Sequence, residues 1–374
     1  MEPKTEFVQN GHAGLEYFCD RIEETARLST LLLNGNDVVL MSPRRMGKTG
    51  LIHHLFEQEE IRKNYYCFII DIYSTKNLND LALAMGKSIL NALKSKGRKA
   101  IDSFVNIVAS LRAGISFDSF EMPSLNLEIG NITSPNTTLE QIFEYIEHAD
   151  RPCIVAIDEF QQISYYPVNN VEAVLRSYIQ KCNNANFIFS GSERHLLSEM
   201  FHSPSRPFYA STSTMRLEAI DKNKYAEFAM SHFANNGRTV SADIINNVYE
   251  KFEGITWYLQ KIMNCIFSLT SNGETCSPDI VDYAISEIMR DSSTVYADLL
   301  YQLTSRQREL LTAISKEGKA RAITSSKFLK RYALPSASTI QTTVKSLLER
   351  QLITVSQNTY DIYDKFFGLW LTTM

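Results

Sequence analysis

The sequence has few cysteines, and none lies close to another. The 374 residues include six Cys, and no two of them form a C-x-x-C pair. This spacing favours free or buried thiols in a reducing compartment, and it argues against a disulfide framework or a zinc site. Cys67, Cys153 and Cys265 lie inside apolar runs, where we expect cysteine to pack as a small core residue.

Long apolar runs are also missing. No stretch approaches the roughly 18 consecutive apolar residues that a membrane-spanning helix needs. The first residues, MEPKTEFVQNGHAG, lack the apolar segment of a secretory signal. We therefore expect a cytoplasmic protein.

Several catalytic signatures are absent as well. The seven histidines form no H-E-x-x-H pattern and no Cys/His cluster, which argues against a zinc enzyme. No G-x-S-x-G segment supports serine-hydrolase chemistry. The net charge of −4 gives the whole molecule no attraction for nucleic acid or acidic membranes, so any such contact must come from a local face.

Apolar runs alternate with helical patterns through the first 220 residues, which we expect to form one domain. Four runs rich in β-branched and aromatic residues predict strands, at residues 37–41, 65–71, 153–158 and 186–190. Runs without polar alternation are typical of strands buried on both faces of a parallel sheet. Helical patterns such as residues 49–60 and 78–96 separate them. The order predicts an α/β fold with a doubly wound parallel sheet.

One segment interrupts this alternation. Residues 112–129 show two short period-2 patterns around Met122 and Pro123, which predict a β-hairpin insertion. In the turn-rich segment that follows, Thr138 is the expected helix cap, with Gln141 as its capping-box partner.

The pattern changes after residue 220. Residues 221–290 show helical periodicity throughout and predict a small all-helical domain. Residues 291–374 predict three helices and then a strand pair, at 305–315, 325–332, 338–350, 353–356 and 359–362. Three helices followed by a β-hairpin are the pattern of a winged-helix domain.

The segment VVLMSPRRMGKTGLI, residues 38–52, predicts a phosphate loop. A buried strand ends at Met41, and Gly47, Lys48 and Thr49 open a helix at the spacing G-x-x-x-x-G-K-[ST], with Ser42 at the first glycine. Backbone N–H groups at a helix start point at phosphate oxygens, and the helix dipole favours their charge. We expect Lys48 to reach the β- and γ-phosphates and the Thr49 hydroxyl to bind Mg²⁺.

Two carboxylates follow the strand at residues 153–158. Carboxylates at this edge of an α/β sheet lie where ligands bind. Asp158 is the expected Mg²⁺ ligand, and Glu159 is the expected group that activates the attacking water. The alternative is that the pair merely caps the next helix.

Two serines follow the strand at residues 186–190. Ser190 or Ser192 can contact the γ-phosphate or the attacking water from this position. A serine-rich turn that caps the next helix explains the same residues equally well. The sequence leaves this choice open.

These segments together resemble the archaeal-type P-loop ATPase family, a branch of the AAA+ and signal-transducing ATPases. YFCDRIEETARL is similar to its F-x-G-R-x-x-E-x-x-x-L box, with Asp20 at the glycine. SPRRMGKT resembles its G-P-R-R-x-G-K-T loop, CIVAIDEFQ its hhhhDEhQ strand end, and FIFSGS its hhhTGS segment. GITWYLQ resembles its lid-helix G-h-P-x-Y-L segment, with Thr256 at the proline, and residues 303–371 are similar to its winged helix.

The resemblance implies a nucleotide site that uses ATP or ADP with Mg²⁺. It places Phe18 and Arg21 near the adenine, and the absence of an N/T-K-x-D guanine signature agrees with adenine. The phosphate-loop residues expected to contact the nucleotide are Pro43, Arg44, Arg45, Met46, Gly47, Lys48, Thr49 and Gly50. The family's arginine after a P-L-Y triplet is missing here. Arg194, Arg206 and Arg216 remain the alternatives for its charge.

The winged helix leaves two kinds of partner open. Residues 291–374 contain eleven Lys and Arg against seven Asp and Glu, and a basic face would favour DNA. Its candidate residues are Lys327, Lys330, Arg331, Lys345 and Arg350. The segment STIQTTVKSLLER is poor in side chains that read bases. The alternative is docking to a protein, to another copy of the chain or, as an autoinhibitory contact, within the chain itself.

Two functions therefore stand at this point. One is an ATPase whose helical lid domain closes over the nucleotide and couples its state to the winged helix. The other is a slow or non-hydrolysing nucleotide switch that regulates binding of a protein or DNA partner.

Overall fold

The computed structural model describes residues 6–8, 14–117, 123–125, 134–168 and 170–374. The chain forms two compact units. One contains the residues up to Tyr225 together with Gly254–Gln260, and the other contains Ala226–Glu253 and Lys261–Met374. The division into three domains at residues 220 and 290 stays a prediction.

The residues up to Tyr225 alternate strands and helices. The strands are β1 (Val38–Met41), β2 (Tyr66–Asp71), β3 (Ile115–Phe117), β4 (Pro123–Leu125), β5 (Cys153–Asp158), β6 (Ala185–Gly191) and β7 (Ser213–Arg216). The helices are α1 (Ile22–Leu33), α2 (Lys48–Glu57), α3 (Glu59–Asn64), α4 (Leu78–Leu93), α5 (Arg98–Ile107), α6 (Pro135–Glu147), α7 (Val171–Ile179) and α8 (Arg194–His202). Short 3₁₀ helices lie at Leu15–Tyr17, Lys94–Lys96, Ala109–Gly114 and Phe160–Tyr165.

Five of these strands form a parallel sheet in the order β2-β5-β6-β1-β7. Alternate residues of β1 enter two cores. Val39 and Met41 pack in a core with α4 to α8, and Val38 and Leu40 pack in a core with α1 to α3. The doubly wound parallel sheet is confirmed, and the apolar runs are explained by burial on both faces.

The predicted hairpin insertion is confirmed, with shorter strands. β3 and β4 pair antiparallel, with Ile115 opposite Leu125, and Met122 lies outside the described residues. The predicted cap of α6 is wrong. Ser134 caps this helix with Pro135 at its first position, and Thr138 lies inside it. Proline at the first helical position is the stronger start signal, because its missing N–H has no helical partner there.

The remaining helices and strands include the predicted winged helix. The helices are α9 (Lys222–Asn235), α10 (Ala242–Lys251), α11 (Thr256–Leu269), α12 (Ile280–Tyr301), α13 (Ser305–Glu317), α14 (Ser326–Arg331), α15 (Ala337–Glu349) and α16 (Lys365–Thr372). The strands are β8 (Ala320–Arg321), β9 (Ile353–Ser356) and β10 (Thr359–Ile362), in the order β8-β10-β9. The strand pair lies at the predicted positions. β8 and α16 were not predicted, and α12 runs unbroken through residue 290.

The state of the cysteines and the apolarity of the helices were also predicted from the sequence. All six cysteines are free thiols, and burial raises the pKa of Cys19 to about 12. Cys153 is buried, whereas Cys67 and Cys265 are only partly buried. No helix in the described part of the chain is both long enough and apolar enough to cross a bilayer.

Asp37 gives the fold a testable pH dependence. Its Oδ1 accepts a hydrogen bond from Phe187 N on β6 at 2.8 Å. Burial raises the pKa of Asp37 from 3.8 to about 6, against the opposing effects of this hydrogen bond and of Arg176. Within that pH window the folded chain keeps a proton that the unfolded chain has lost. Stability contributed by Asp37 is therefore complete below the window and is lost as pH rises through it.

We expect Asp37→Asn to flatten this dependence. The amide oxygen still accepts from Phe187, but no partly buried charge forms. The variant should gain on the order of 1–2 kcal/mol relative to wild type between about pH 4.5 and pH 7. Urea unfolding at both pH values measures the difference. An equal pH dependence in the two proteins would contradict the assignment.

Candidate active site

The phosphate loop lies between β1 and α2. Gly47 precedes the helix with a φ of 87°, a left-handed conformation that favours glycine. Ser42 is buried, its hydroxyl donates to Pro43 O at 2.9 Å, and its φ is not positive. Serine at the position of the first family glycine is therefore accommodated without left-handed backbone.

Lys48 carries a buried charge that is poorly satisfied. Its side chain opens α2, and the residue is only 6% exposed. Among the described residues, the sole hydrogen-bond acceptor of Nζ is Pro43 O, at 3.5 Å. Burial lowers the pKa of Lys48, while Glu159 and Asp158 oppose this shift. A buried ammonium with N–H groups to spare fits an anionic ligand.

Thr49 and Asp158 place two oxygen atoms that can bind a metal ion side by side. Thr49 Oγ1 lies 2.6 Å from Asp158 Oδ2, and Ser190 on β6 donates to the other carboxylate oxygen. Asp158 is 7% exposed. In the described ranges no group of three or more His, Cys, Asp or Glu residues is placed to hold a metal ion. The site therefore offers few protein ligands, and all of them are oxygen atoms. This set fits Mg²⁺, whose coordination shell water and phosphate can complete, and it does not fit zinc.

Glu159 is held by neighbouring side chains. Its φ is 55°, and its side chain does not cap the following 3₁₀ helix. Its Oε2 accepts from Gln161 Nε2 at 2.5 Å and from Ser192 Oγ at 2.8 Å. Ser192 Oγ in turn accepts from Arg44 Nε at 3.0 Å. A phosphate-loop arginine is thus linked through one hydroxyl to this carboxylate.

The two serines do not cap the next helix. Glu193 precedes α8 and makes no capping hydrogen bond through its side chain. Ser190 contacts Asp158, and Ser192 contacts Glu159 and Arg44. The capping alternative, which the sequence left open for the two serines, is therefore rejected.

A cavity of about 280 Å³ opens beside the phosphate loop. It is lined by Phe18, Arg21, residues 44–50 and Glu159, all of them predicted site residues. This volume is near the lower end of small-molecule pockets. The lining does not include Pro43, Asp158, Ser190 or Ser192. Asp158 bonds to Thr49 and Ser192 bonds to Glu159, both of which line the cavity, whereas Ser190 bonds to Asp158.

The N-terminal box supports one side of this cavity. The Phe18 ring stacks on His54 with centroids 4.2 Å apart. Arg21 is buried, bonds to Glu24 at 2.6 Å and reaches Met46 O at 3.4 Å, so it also braces the phosphate loop. Asp20 has a φ of 54°, which explains why the family has glycine at this position. Aspartate tolerates that conformation better than most residues.

The segment Gly254–Gln260 contributes residues that sequence reasoning did not place in the site. The Arg45 guanidinium lies 4.4 Å from the Trp257 ring centroid and bonds to the Tyr258 hydroxyl. Trp257 N donates to Arg45 O at 3.0 Å. Thr256, Trp257 and Gln260 line the cavity. The similarity of this segment to the family's lid motif was the available signal.

A protein-family comparison decides the identity of this constellation. Residues 18–262 match the model described as an ATPase domain predominantly from Archaea. The chain belongs to this ATPase family. Residues 294–373 match a second model, described as a probable winged helix domain.

Solved structures show the same fold for this ATPase. A Walker-type ATPase of Pyrococcus abyssi is 18% identical, with a TM-score of 0.66 over 98% of this chain and 99% of that one. The ORC2 protein of Aeropyrum pernix, in ADPNP–ADP complexes, is 14% identical, with a TM-score of 0.60 over 98% and 97%. The ORC1 protein of the same organism, in complex with DNA, is 11% identical, with a TM-score of 0.55 over 99% and 96%. Among curated protein sequences, none matches the chain.

The ATPase has three candidate arginines for the missing family arginine. Arg206 is engaged by Glu172 and lies 3.6 Å from Glu199, so its charge is already balanced. Arg194 begins α8 and Arg216 ends β7, and both are exposed. Arg194 and Arg216 are therefore better placed than Arg206 to serve another molecule.

Proposed function

We propose that this chain binds MgATP at the phosphate loop and hydrolyses it. One observation carries the proposal: the buried, under-satisfied Lys48 ammonium lies at a helix start next to the Thr49–Asp158 oxygen pair. Three features favour phosphate there, namely the ammonium, the free N–H groups of α2 and the helix dipole. Thr49 and Asp158 would hold the Mg²⁺, which when bound offsets phosphate charge.

The hydrolytic step is assigned to Glu159. Its carboxylate lines the cavity, and Gln161 and Ser192 hold one of its oxygens. No described residue bonds to the other oxygen, which would orient a water and take its proton. Arg44 and Ser192 link this group to the phosphate loop. Phosphate release by wild type and by Glu159→Gln, together with nucleotide binding by Lys48→Met, tests the proposal.

We further propose that nucleotide binding regulates the winged helix. Glu253 follows α10 and pairs with Lys319 at 2.8 Å and with Lys365 at 2.7 Å, both in the winged helix. The next residues, Gly254–Gln260, include three that line the cavity, Thr256, Trp257 and Gln260. Glu253, which forms ion pairs with the winged helix, is therefore directly bonded to a segment that would respond to nucleotide.

A specific observation favours DNA as a partner of the winged helix. Lys327, Lys330, Lys345 and Arg350 are exposed, and none has a carboxylate partner among the described residues. Arg331, by contrast, is paired with Glu317 at 2.7 Å. Exposed cations without carboxylate partners fit phosphate contacts better than compensated ones do. The rival partner is a protein or a second copy of this chain.

Fluorescence anisotropy with duplex DNA tests the regulation and the partner together. We expect binding that weakens steeply with salt, that falls about threefold or more in Lys345→Ala, and that changes between the ATP analogue and ADP. Arg331→Ala is the matched control and should have the smaller effect. Binding without nucleotide dependence would contradict the coupling. No binding at low salt would contradict DNA and favour the protein partner.

A further inference from the structure

Gln161 is a buried amide that contacts the site without lining the cavity. It lies two residues after Glu159, is 2% exposed and donates from Nε2 to Glu159 Oε2 at 2.5 Å. It is not among the described residues that line the pocket. Any effect of Gln161 on chemistry must therefore pass through the Glu159 carboxylate.

The orientation of this amide comes at an energetic cost. A carboxylate only accepts, so the NH₂ group of Gln161 must face Glu159 and the amide oxygen must face away. That oxygen, Oε1, is buried and has no hydrogen-bond partner among the described residues. A buried acceptor without a donor is unfavourable, and such features persist mainly where function requires them. The contact with Glu159 accounts for the orientation.

Gly191 makes room for the Gln161 amide. A Cβ built on Gly191, the last residue of β6, would lie 2.0 Å from Gln161 Oε1 and 3.0 Å from a Leu197 methyl. The φ of Gly191 is not left-handed, so the backbone does not require glycine here. Glycine is needed here because a side chain would collide with the Gln161 amide.

We infer that Gln161, given room by Gly191, is a positioning residue for Glu159. The inference rests on the proposed hydrolysis of ATP at this site. Glu159 follows a strand with a left-handed φ of 55°, so regular backbone does not fix its side chain. Ser192 offers a hydroxyl that rotates and also contacts Arg44, whereas the two N–H groups of the planar Gln161 amide point in fixed directions. Gln161 is thus the more rigid of these two donors to the Glu159 carboxylate.

Gln161→Met tests the positioning role, because it keeps the volume and removes both polar atoms. We expect kcat for phosphate release to fall about tenfold, the affinity for a non-hydrolysable MgATP analogue to stay within about twofold, and the unfolding temperature to stay equal or rise. Gln162→Met is the matched control, since Gln162 donates to Thr75 O at 2.9 Å and not to Glu159. It should leave kcat unchanged. A wild-type kcat in Gln161→Met, or an equal loss in Gln162→Met, would overturn the inference.

A double-mutant cycle tests the role of Gly191 without nucleotide. Gly191→Ala should lower the unfolding temperature in the wild-type background and lower it distinctly less in Gln161→Ala, which has no amide to displace. Additive shifts would overturn the inference. Phosphate release separates its failure from that of the proposed function. If wild type releases phosphate no faster than Glu159→Gln, the proposed hydrolysis and the positioning role are both contradicted. If wild type is faster than Glu159→Gln but the Gln161 variants match wild type, hydrolysis is supported and only the positioning role is contradicted.

Discussion

Lys48→Met is expected to weaken MgATP binding at least about 100-fold. The wild-type ammonium is buried and has a single weak acceptor among the residues that the structure describes, so most of its hydrogen-bonding capacity is available to phosphate. Methionine fills a similar volume but offers neither charge nor donor. Titration calorimetry of wild type and variant with a non-hydrolysable MgATP analogue measures the loss.

The stability of this variant provides a control for the binding result. Because burial lowers the pKa of Lys48, its charge costs free energy in the nucleotide-free fold. We therefore expect Lys48→Met to unfold at the same temperature as wild type or higher. Lys63→Met is a matched surface control, because Lys63 is exposed and paired with Glu59. Unchanged analogue affinity in Lys48→Met would contradict the assignment of Lys48 to the phosphates.

Glu159→Gln is expected to lower the rate of phosphate release by about 100-fold or more. An amide keeps the shape of the side chain and an acceptor for Gln161, but it cannot take a proton from water. Affinity for the MgATP analogue should therefore remain near the wild-type value. Single-turnover phosphate release and calorimetry on the same samples separate the two quantities.

The outcome of this comparison also decides between the two functions. Equal rates near background in wild type and Glu159→Gln, with nucleotide still bound, would reject hydrolysis. They would favour the slow or non-hydrolysing switch instead. A large ratio between the two rates would favour the enzyme, even though the family arginine is missing.

The local structure of the phosphate loop was predictable because it depends on local sequence. A buried strand, a loop and a helix start follow one another from Val38 to Glu57, and the backbone alone sets where the N–H groups point. The sheet was predictable for a similar reason, since burial on both faces leaves continuous apolar runs. Each of these signals lies within about 20 residues of chain.

Contacts between distant side chains could not be read in this way. Arg45 and Trp257 are far apart in sequence, and their stacking depends on where the segment Gly254–Gln260 meets the loop. The need for glycine at position 191 is explained only by the Gln161 amide beside it. Such pairings arise from tertiary packing, and no local pattern encodes them.

Local rules also competed with one another. Thr138 and Gln141 have the spacing of a capping box, yet Ser134 followed by Pro135 starts α6. Helix α16 was missed because it is short and contains Gly368. Gly368 O accepts from Ser315 Oγ on α13, and Phe367 and Leu371 enter the winged-helix core. Packing of its apolar face stabilises α16 where propensity does not.

The central claim is that a phosphate-binding cradle at the start of α2 holds the nucleotide. The most direct measurement is a titration of the wild-type chain with ATP, ADP, AMP and adenosine in the presence of Mg²⁺. We expect one site per chain, tight binding of ATP and ADP, and a loss of about 100-fold or more for AMP and adenosine, because AMP and adenosine lack the outer phosphates that Lys48 and the helix start are proposed to bind. Equal affinity for ATP and adenosine, or no binding of ATP at millimolar concentration, would contradict the account.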